Sequence, residues 1–280
     1  MTAEDRPGQP PSTPAVTRTP AIASASAVTP APAALGDLRR FSDARIALGR
    51  SGAGLPTAAQ LRFGLDHARA RDAVHSALDV PDLLAGLQAR GLPAVALHSR
   101  AESRASYLRR PDLGRQVDLG DGSALAPLRL GGEVLLALAD GLSASAVTLN
   151  ALPLVDALLP LLQAAGLACA GAVVIEQGRV AAADAVAAHL QAGCTIVLIG
   201  ERPGLSAADS LGAYLTWAAA PGTPDSRRNC VSNIRSGGLP PAAAARKIAW
   251  LATEMCRRRS SGIALKEAAA LPPPPPGSAG

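Results

Sequence analysis

Aromatic side chains are almost missing from this sequence: 280 residues include two Trp, two Tyr and two Phe. Trp217, Trp250, Tyr107, Tyr214, Phe41 and Phe63 are scattered, which excludes a base-stacking platform for single-stranded nucleic acid. Charge of one sign is lacking as well. The formal charge is only +5 and basic residues alternate with acidic ones. The single dense run, Arg257-Arg258-Arg259, falls near the end of an expected helix, where a cation favours the helix dipole. No nucleic-acid partner is expected. Four cysteines, Cys169, Cys194, Cys230 and Cys256, have neither paired nor metal-ligand spacing, so no disulfide framework and no zinc site are expected. Cys169 and Cys194 abut apolar strand candidates and read as reduced core residues. The first thirty residues hold no apolar h-region, so no secretory signal is read and a cytoplasmic location is expected. Long apolar runs are few. The stretch 151–170 comes nearest to a membrane span, but Pro153, Asp156, Pro160 and Gln163 interrupt it and Gly166 makes a helix stop. It reads as a helix followed by a strand, and no membrane partner is expected.

What remains is Ala, Leu and Val in quantity, in a chain that is 48% hydrophobic. Small apolar residues suit helices packed closely on a sheet, and the length allows one large or two modest domains. Residues 1–34 are Pro, Ala, Ser and Thr with few charges, and 267–280 contain five consecutive prolines. Both read as disordered tails that cannot bury a core. Residues 35–130 read as a mainly helical N-terminal region. Leu38, Phe41, Ile46 and Leu48 precede Gly-Arg-Ser-Gly-Ala-Gly-Leu-Pro-Thr, with Thr57 placed to cap a helix through Leu61, Leu65 and Val74. That glycine-rich piece lacks the Gly-Lys-Ser/Thr ending of a nucleotide loop. A helix over about 81–90 and a short strand over 92–98 follow, then the basic, proline-broken Tyr107-Leu-Arg-Arg-Pro-Asp-Leu-Gly-Arg115, which by itself says only surface or interface.

From 131 to 266 the rhythm is βα. Apolar runs at 134–139, 172–175 and 195–199 each end in a polar, glycine-containing loop, with a further strand at 212–217 and a helix at 240–259. Strands alternating with helices imply right-handed crossovers and a parallel sheet, an α/β fold. In such a sheet the loops at the carboxyl ends of the strands line the ligand crevice. Asp140, Gly141, Ser143, Glu176, Gln177, Arg179, Val180, Glu201 and Arg202 are therefore expected along one rim. No G-x-G-x-x-G fingerprint stands at any of these turns, and Ser143 is not in a G-x-S-x-G elbow. The rim suits a large polar ligand whose reactive chemistry comes from elsewhere. By residue type alone Glu201 has two readings, a ligand acceptor or a salt bridge to Arg202. Val180 and Cys230 alone would read as packing.

Eight segments together resemble the small (light) subunit of ethanolamine ammonia-lyase. They are ARIALGRSGAGLPT at 44–57, LDHARARDAVH at 65–75, YLRRPDLGR at 107–115, LADGLSASAV at 138–147, EQGRV at 176–180, IGERPGLSAADSLGAYLTW at 199–217, RRNCVSNIR at 227–235 and SGIALK at 261–266. Each alone is weak, and eight in register are specific. They cover about 35–266 and leave out both tails.

The resemblance implies a hetero-oligomer that converts ethanolamine to acetaldehyde and ammonia with adenosylcobalamin (coenzyme B12), by cobalt–carbon homolysis and radical migration of the amino group. It implies a TIM-barrel large subunit that holds substrate and catalytic residues. The small subunit would carry a Rossmann-like α/β domain at 131–266 that closes over the cobalamin, with 35–130 at the subunit interface. By motif position it assigns cobalamin contacts to Val180, Glu201 and Cys230, and no catalytic or metal-ligating residue to this chain. The chain lacks the Asp-x-His-x-x-Gly pattern that replaces the lower cobalt ligand, since Asp66 and His67 are adjacent. Family members often enter bacterial microcompartments, although the Pro/Ala-rich front is a poor match to an encapsulation helix. The alternative from another class is a stand-alone Rossmann-like nucleotide-binding enzyme.

Overall fold

A computed structural model of the protein describes residues 29–30, 37–41 and 44–265. The tail expected at 267–280 lies outside them, as does most of the one expected at 1–34. The chain falls into two compact units, Met1–Arg62 and Phe63–Gly280. In the first, Asp37–Arg40 makes a 3-10 turn and Thr29 bridges Arg50. Ser51 and Gly54 exchange both backbone hydrogen bonds, at 3.0 and 3.1 Å, so the glycine-rich piece closes on itself. Helix α1 (Thr57–His75) therefore starts later than the helical pattern from residue 35 implied. Gly49 and Gly52 take φ of 78° and 59°, and that left-handed backbone breaks a helix.

The second unit is built on a six-stranded sheet: β1 (Ala94–His98), β2 (Val134–Ala139), β3 (Cys169–Glu176), β4 (Cys194–Gly200), β5 (Leu211–Trp217) and β6 (Arg228–Ile234). The spatial order is β1-β3-β2-β4-β5-β6. The first four in that order run parallel, and β5 is antiparallel to both β4 and β6. A wholly parallel sheet, as the βα rhythm implied, is thus corrected to a mostly parallel one. The reason is chain length. Residues 201–210 and 218–227 carry no α-helix, and a parallel crossover needs a dozen or more residues. Strand β6 escaped the sequence pattern because only Val231 and Ile234 of its seven residues are buried.

Alternation in the parallel strands feeds two layers of core. Val134, Leu136 and Leu138 of β2, with Ile196 and Leu198 of β4, pack under α2 (Val80–Gln88), α4 (Ala144–Ala164) and α6 (Pro241–Arg258). Leu135, Ala137 and Ala139, with Val197 and Ile199, face α5 (Ala182–Leu190) and the turn holding Leu125 and Leu128. Burial on both faces explains the unbroken apolar strands. Helix α4 is apolar and long enough by length and composition to cross a membrane. Here its Val147, Leu154, Leu158 and Leu162 are core residues. It ends as the sequence indicated: Gly166 has φ 72°, its N–H donates to Gln163 O at 3.0 Å, and the Leu167 N–H donates to Leu162 O at 3.0 Å. That double closure is the Schellman pattern.

Candidate functional site

The carboxyl ends of β2, β3 and β4 lie together, and a cavity of about 750 Å³ opens there. Its wall draws Gly141 and Leu142 from the β2 turn, Arg179, Val180 and Ala181 from the β3 turn, and Ile199 to Arg202 from the end of β4. Tyr214 comes from β5, and Arg228 and Cys230 from β6. The β2 and β4 turns approach so closely that a Cβ on Gly141 would collide with the Gly200 carbonyl, and one on Gly200 with the Ser143 and Asp140 carbonyls. Glycine is required at both, and the Leu142 N–H donates to Gly200 O at 2.9 Å across the contact.

The loop after β4 is held from three sides. Gly204 and Ala207 pair by two backbone hydrogen bonds, the Ser143 hydroxyl donates to Ala208 O at 2.8 Å, and Asn150 Nδ2 donates to Asp209 O at 2.9 Å. Ser143 Oγ also caps α4, accepting from the Ala146 N–H at 3.2 Å. The loop returns so that the Ser210 hydroxyl donates to Glu201 Oε2, which also accepts the Asn233 N–H at 3.2 Å. Glu201 is thus fixed by Ser210 and Asn233 and half-buried at the cavity wall. The local bridge to Arg202 is not what holds it.

Behind the β3 turn sits the buried carboxylate of Asp140. Its Oδ1 accepts the Gly178 N–H at 3.0 Å, and Arg104 Nη1 lies 3.6 Å from Oδ2. Burial pushes this carboxyl up from its ordinary value, against the pull of Arg104 and of the N–H groups of Gln177, Gly178 and Gly141. Arg104 also donates to Val74 O at 2.6 Å and to Gly141 O at 2.8 Å. Tyr107, in α3 (Arg104–Arg109), is wholly buried, and both Arg104 and Arg179 lie over its ring, 4.7 and 4.5 Å from the centroid. Burial raises its phenol to about 12, so it stays neutral. The Arg179 N–H donates to Gly114 O at 2.7 Å and its Nη2 to Tyr107 O at 3.3 Å. The turns after β3 and α3 are thereby stitched into one wall.

On the far side, Arg228 makes a two-pronged pair with Asp184 of α5, at 2.7 and 2.9 Å, with both side chains 3% exposed. Arg228 also donates to Thr223 O at 3.0 Å and approaches Asp225 at 3.4 Å. Two residues on, hence on the same face of β6, the Cys230 thiol faces the cavity opposite Tyr214. Burial pushes the thiol up; the Tyr214 hydroxyl opposes this and the Glu201 charge adds to it. The side chain stands exposed at the wall as a small, soft sulfur. Burial, chiefly, lifts the Tyr214 phenol to about 12.

Val180, Glu201 and Cys230, far apart in the chain, thus share one cavity. Gly141, Arg179 and Arg202 of the expected rim line it too, whereas Asp140 and Ser143 are buried supports behind it. The sequence reading missed Tyr107, Arg115, Tyr214 and Arg228. Arg228 had a usable signal, its two-residue spacing from Cys230 in a strand. Arg115 stood in a quoted motif without an assigned role.

Fold and cavity define an α/β protein with an open cavity at the carboxyl edge of a mostly parallel sheet. Its cavity at the carboxyl edge has mixed charge, the rings of Tyr107 and Tyr214 and the Cys230 sulfur, and among the described residues no serine lines it. The sequence matches the ethanolamine ammonia-lyase light chain (EutC) family over residues 32–266. Among curated proteins it is similar to the ethanolamine ammonia-lyase small subunit of Bradyrhizobium diazoefficiens, 55% identical over 233 residues, 82% of this chain and 89% of that one. It is 50% identical to the protein of the same name in Azotobacter vinelandii, over 82% of this chain and 87% of that one. For Pseudomonas aeruginosa the identity is 47%, over 82% and 86%. The chain belongs to the ethanolamine ammonia-lyase light chain family.

Proposed function

We propose that this chain is the small subunit of an adenosylcobalamin-dependent ethanolamine ammonia-lyase, which converts ethanolamine to acetaldehyde and ammonia in a hetero-oligomer with a TIM-barrel large subunit. Family membership supports the lyase reading. The observation that carries the cofactor role is the convergence of Val180, Glu201 and Cys230 on one cavity. The residues present fit the group. A corrin is fringed with amides that need both donors and acceptors. Glu201 offers an acceptor, and Arg179 holds a buried Nε with no partner among the described residues. Val180 and Cys230 supply apolar and soft contact. A cavity of about 750 Å³ takes an edge of so large a molecule rather than all of it, as half of a clasp should.

When the cofactor is bound, the chemistry it supplies is radical chemistry begun by homolysis of its cobalt–carbon bond. This chain's residues bind and orient it and exclude water. The α/β layer is read as Rossmann-like, on the strength of parallel β3-β2-β4 strands with a cavity at their carboxyl ends. Residues 131–266 would face the cofactor and 35–130 the large subunit, with Tyr107 and Arg115 reaching the cavity from the latter. The location proposed is cytoplasmic, free or within a microcompartment.

The test is to purify the chain alone, the large subunit alone and both together, then add adenosylcobalamin and ethanolamine. Acetaldehyde should form only with both chains present. Turnover by either chain alone would refute the assignment.

A further inference from the structure

The charge on the cavity wall does not balance. Arg228 is answered by Asp184 behind the wall and by Asp225 beside it. Arg115, Arg179 and Arg202 also line the cavity, and among the described residues none of them meets a carboxylate. Four guanidiniums thus line the cavity against two carboxylates, Asp225 beside Arg228 and Glu201, the latter already engaged by Ser210 and Asn233. Amide and hydroxyl groups of a ligand do not require such an excess of cations; an anion does.

Two of the three are built into the wall together. Arg179 lies on the Tyr107 ring, and its N–H bonds to Gly114, the residue before Arg115. A Cβ on Gly114 would press on both the Tyr107 ring and Arg179 Cγ, so the glycine lets the turn that carries Arg115 pack against them. Arg115 also lines a neighbouring cavity of about 640 Å³, which shares Ala181 and Asp225 with the first. Its exposed guanidinium stands where the two meet. Arg179, by contrast, is half-buried with an orphaned Nε.

We propose that Arg115 and Arg179 form an anion subsite that takes a phosphodiester, which under the functional reading above, on which this rests, is that of the cofactor's nucleotide loop. Arg115 contributes an exposed charged fork and Arg179 one fixed by the Tyr107 ring.

The test uses the assembled two-subunit complex and three probes: cyanocobalamin, cobinamide phosphate (phosphate without nucleoside) and cobinamide (neither). Dissociation constants are read from the corrin absorbance. Arg115→Ala should weaken cyanocobalamin and cobinamide phosphate by about tenfold or more, the loss expected for a charge-assisted hydrogen bond. It should leave cobinamide unchanged and make cyanocobalamin binding less salt-sensitive. Arg115→Lys should recover part of the loss, and size exclusion checks that each variant still assembles. Equal losses on all three probes, a loss on cyanocobalamin alone, or no loss would overturn the subsite. An unaltered complex that binds no corrinoid would instead overturn the functional reading, and the subsite with it.

Discussion

Glu201 spends one carboxylate oxygen on its own fold, since Oε2 accepts from both Ser210 and Asn233. Oε1 remains for a ligand donor, with Gly212 beneath it, where a Cβ would come within 3.0 Å of that oxygen. Glu201→Ala should therefore weaken cobalamin binding by about 1–3 kcal/mol, the cost of a lost hydrogen bond, while turnover at saturating cofactor falls less. Glu201→Gln keeps an acceptor and the side-chain volume, and should lose less affinity than the alanine variant. Titration of the assembled complex with adenosylcobalamin, followed by rate against cofactor concentration, separates the two effects. A loss of rate that persists at every cofactor concentration would point to failed folding or docking. Sequence alone left Glu201 poised between ligand and Arg202 because its partners, Ser210 and Asn233, are nine and 32 residues away.

At the scale of elements, what could be read in advance was what burial on both faces makes legible. The apolar runs of β2, β3 and β4, the Gly166 stop and the helices after β2 and β3 are all local signals. The strand at 212–217 was read but not its antiparallel direction, and β6 was not read, because it carries the polar sequence Arg-Asn-Cys-Val-Ser-Asn-Ile and is held by its ladder to β5, by Val231 and Ile234, and by one buried ion pair. Arg228 anchors the start of β6 to Asp184 on α5, with Thr223 closing the connection. Burial pushes the Asp184 carboxyl up, opposed by the Arg228 guanidinium. Breaking one partner strands a buried charge, so Asp184→Ala should destabilise the chain by about 3–5 kcal/mol, whereas Asp184→Ala with Arg228→Met should cost markedly less. Denaturant unfolding of the two variants and the unaltered chain measures this directly. Additive losses in the double variant would mean that the pair does not hold β6 in place. Tyr107 was hidden for a similar reason: its burial between Arg104 and Arg179 joins segments over 70 residues apart.

For the whole molecule, the question is how much chain the proposed cofactor site needs. The family match begins at residue 32 and ends at 266. Both core clusters lie between Val80 and Leu265, and the cavity between Tyr107 and Cys230. The sequence reading takes the outer segments, rich in Pro and Ala, as tails outside the cofactor site. A chain cut to residues 29–266 keeps Thr29, which bridges Arg50. Combined with the large subunit, it should bind adenosylcobalamin and turn over ethanolamine within about twofold of the full chain. Cofactor titration and acetaldehyde release on the two complexes, side by side, read both quantities. A large fall in assembled activity with unchanged thermal unfolding of the cut chain would give the front segment a docking role, one that its lack of amphipathic pattern argues against. Retained activity would place cofactor binding and partner recognition alike in the sheet, its helices and the arginine-lined edge between them.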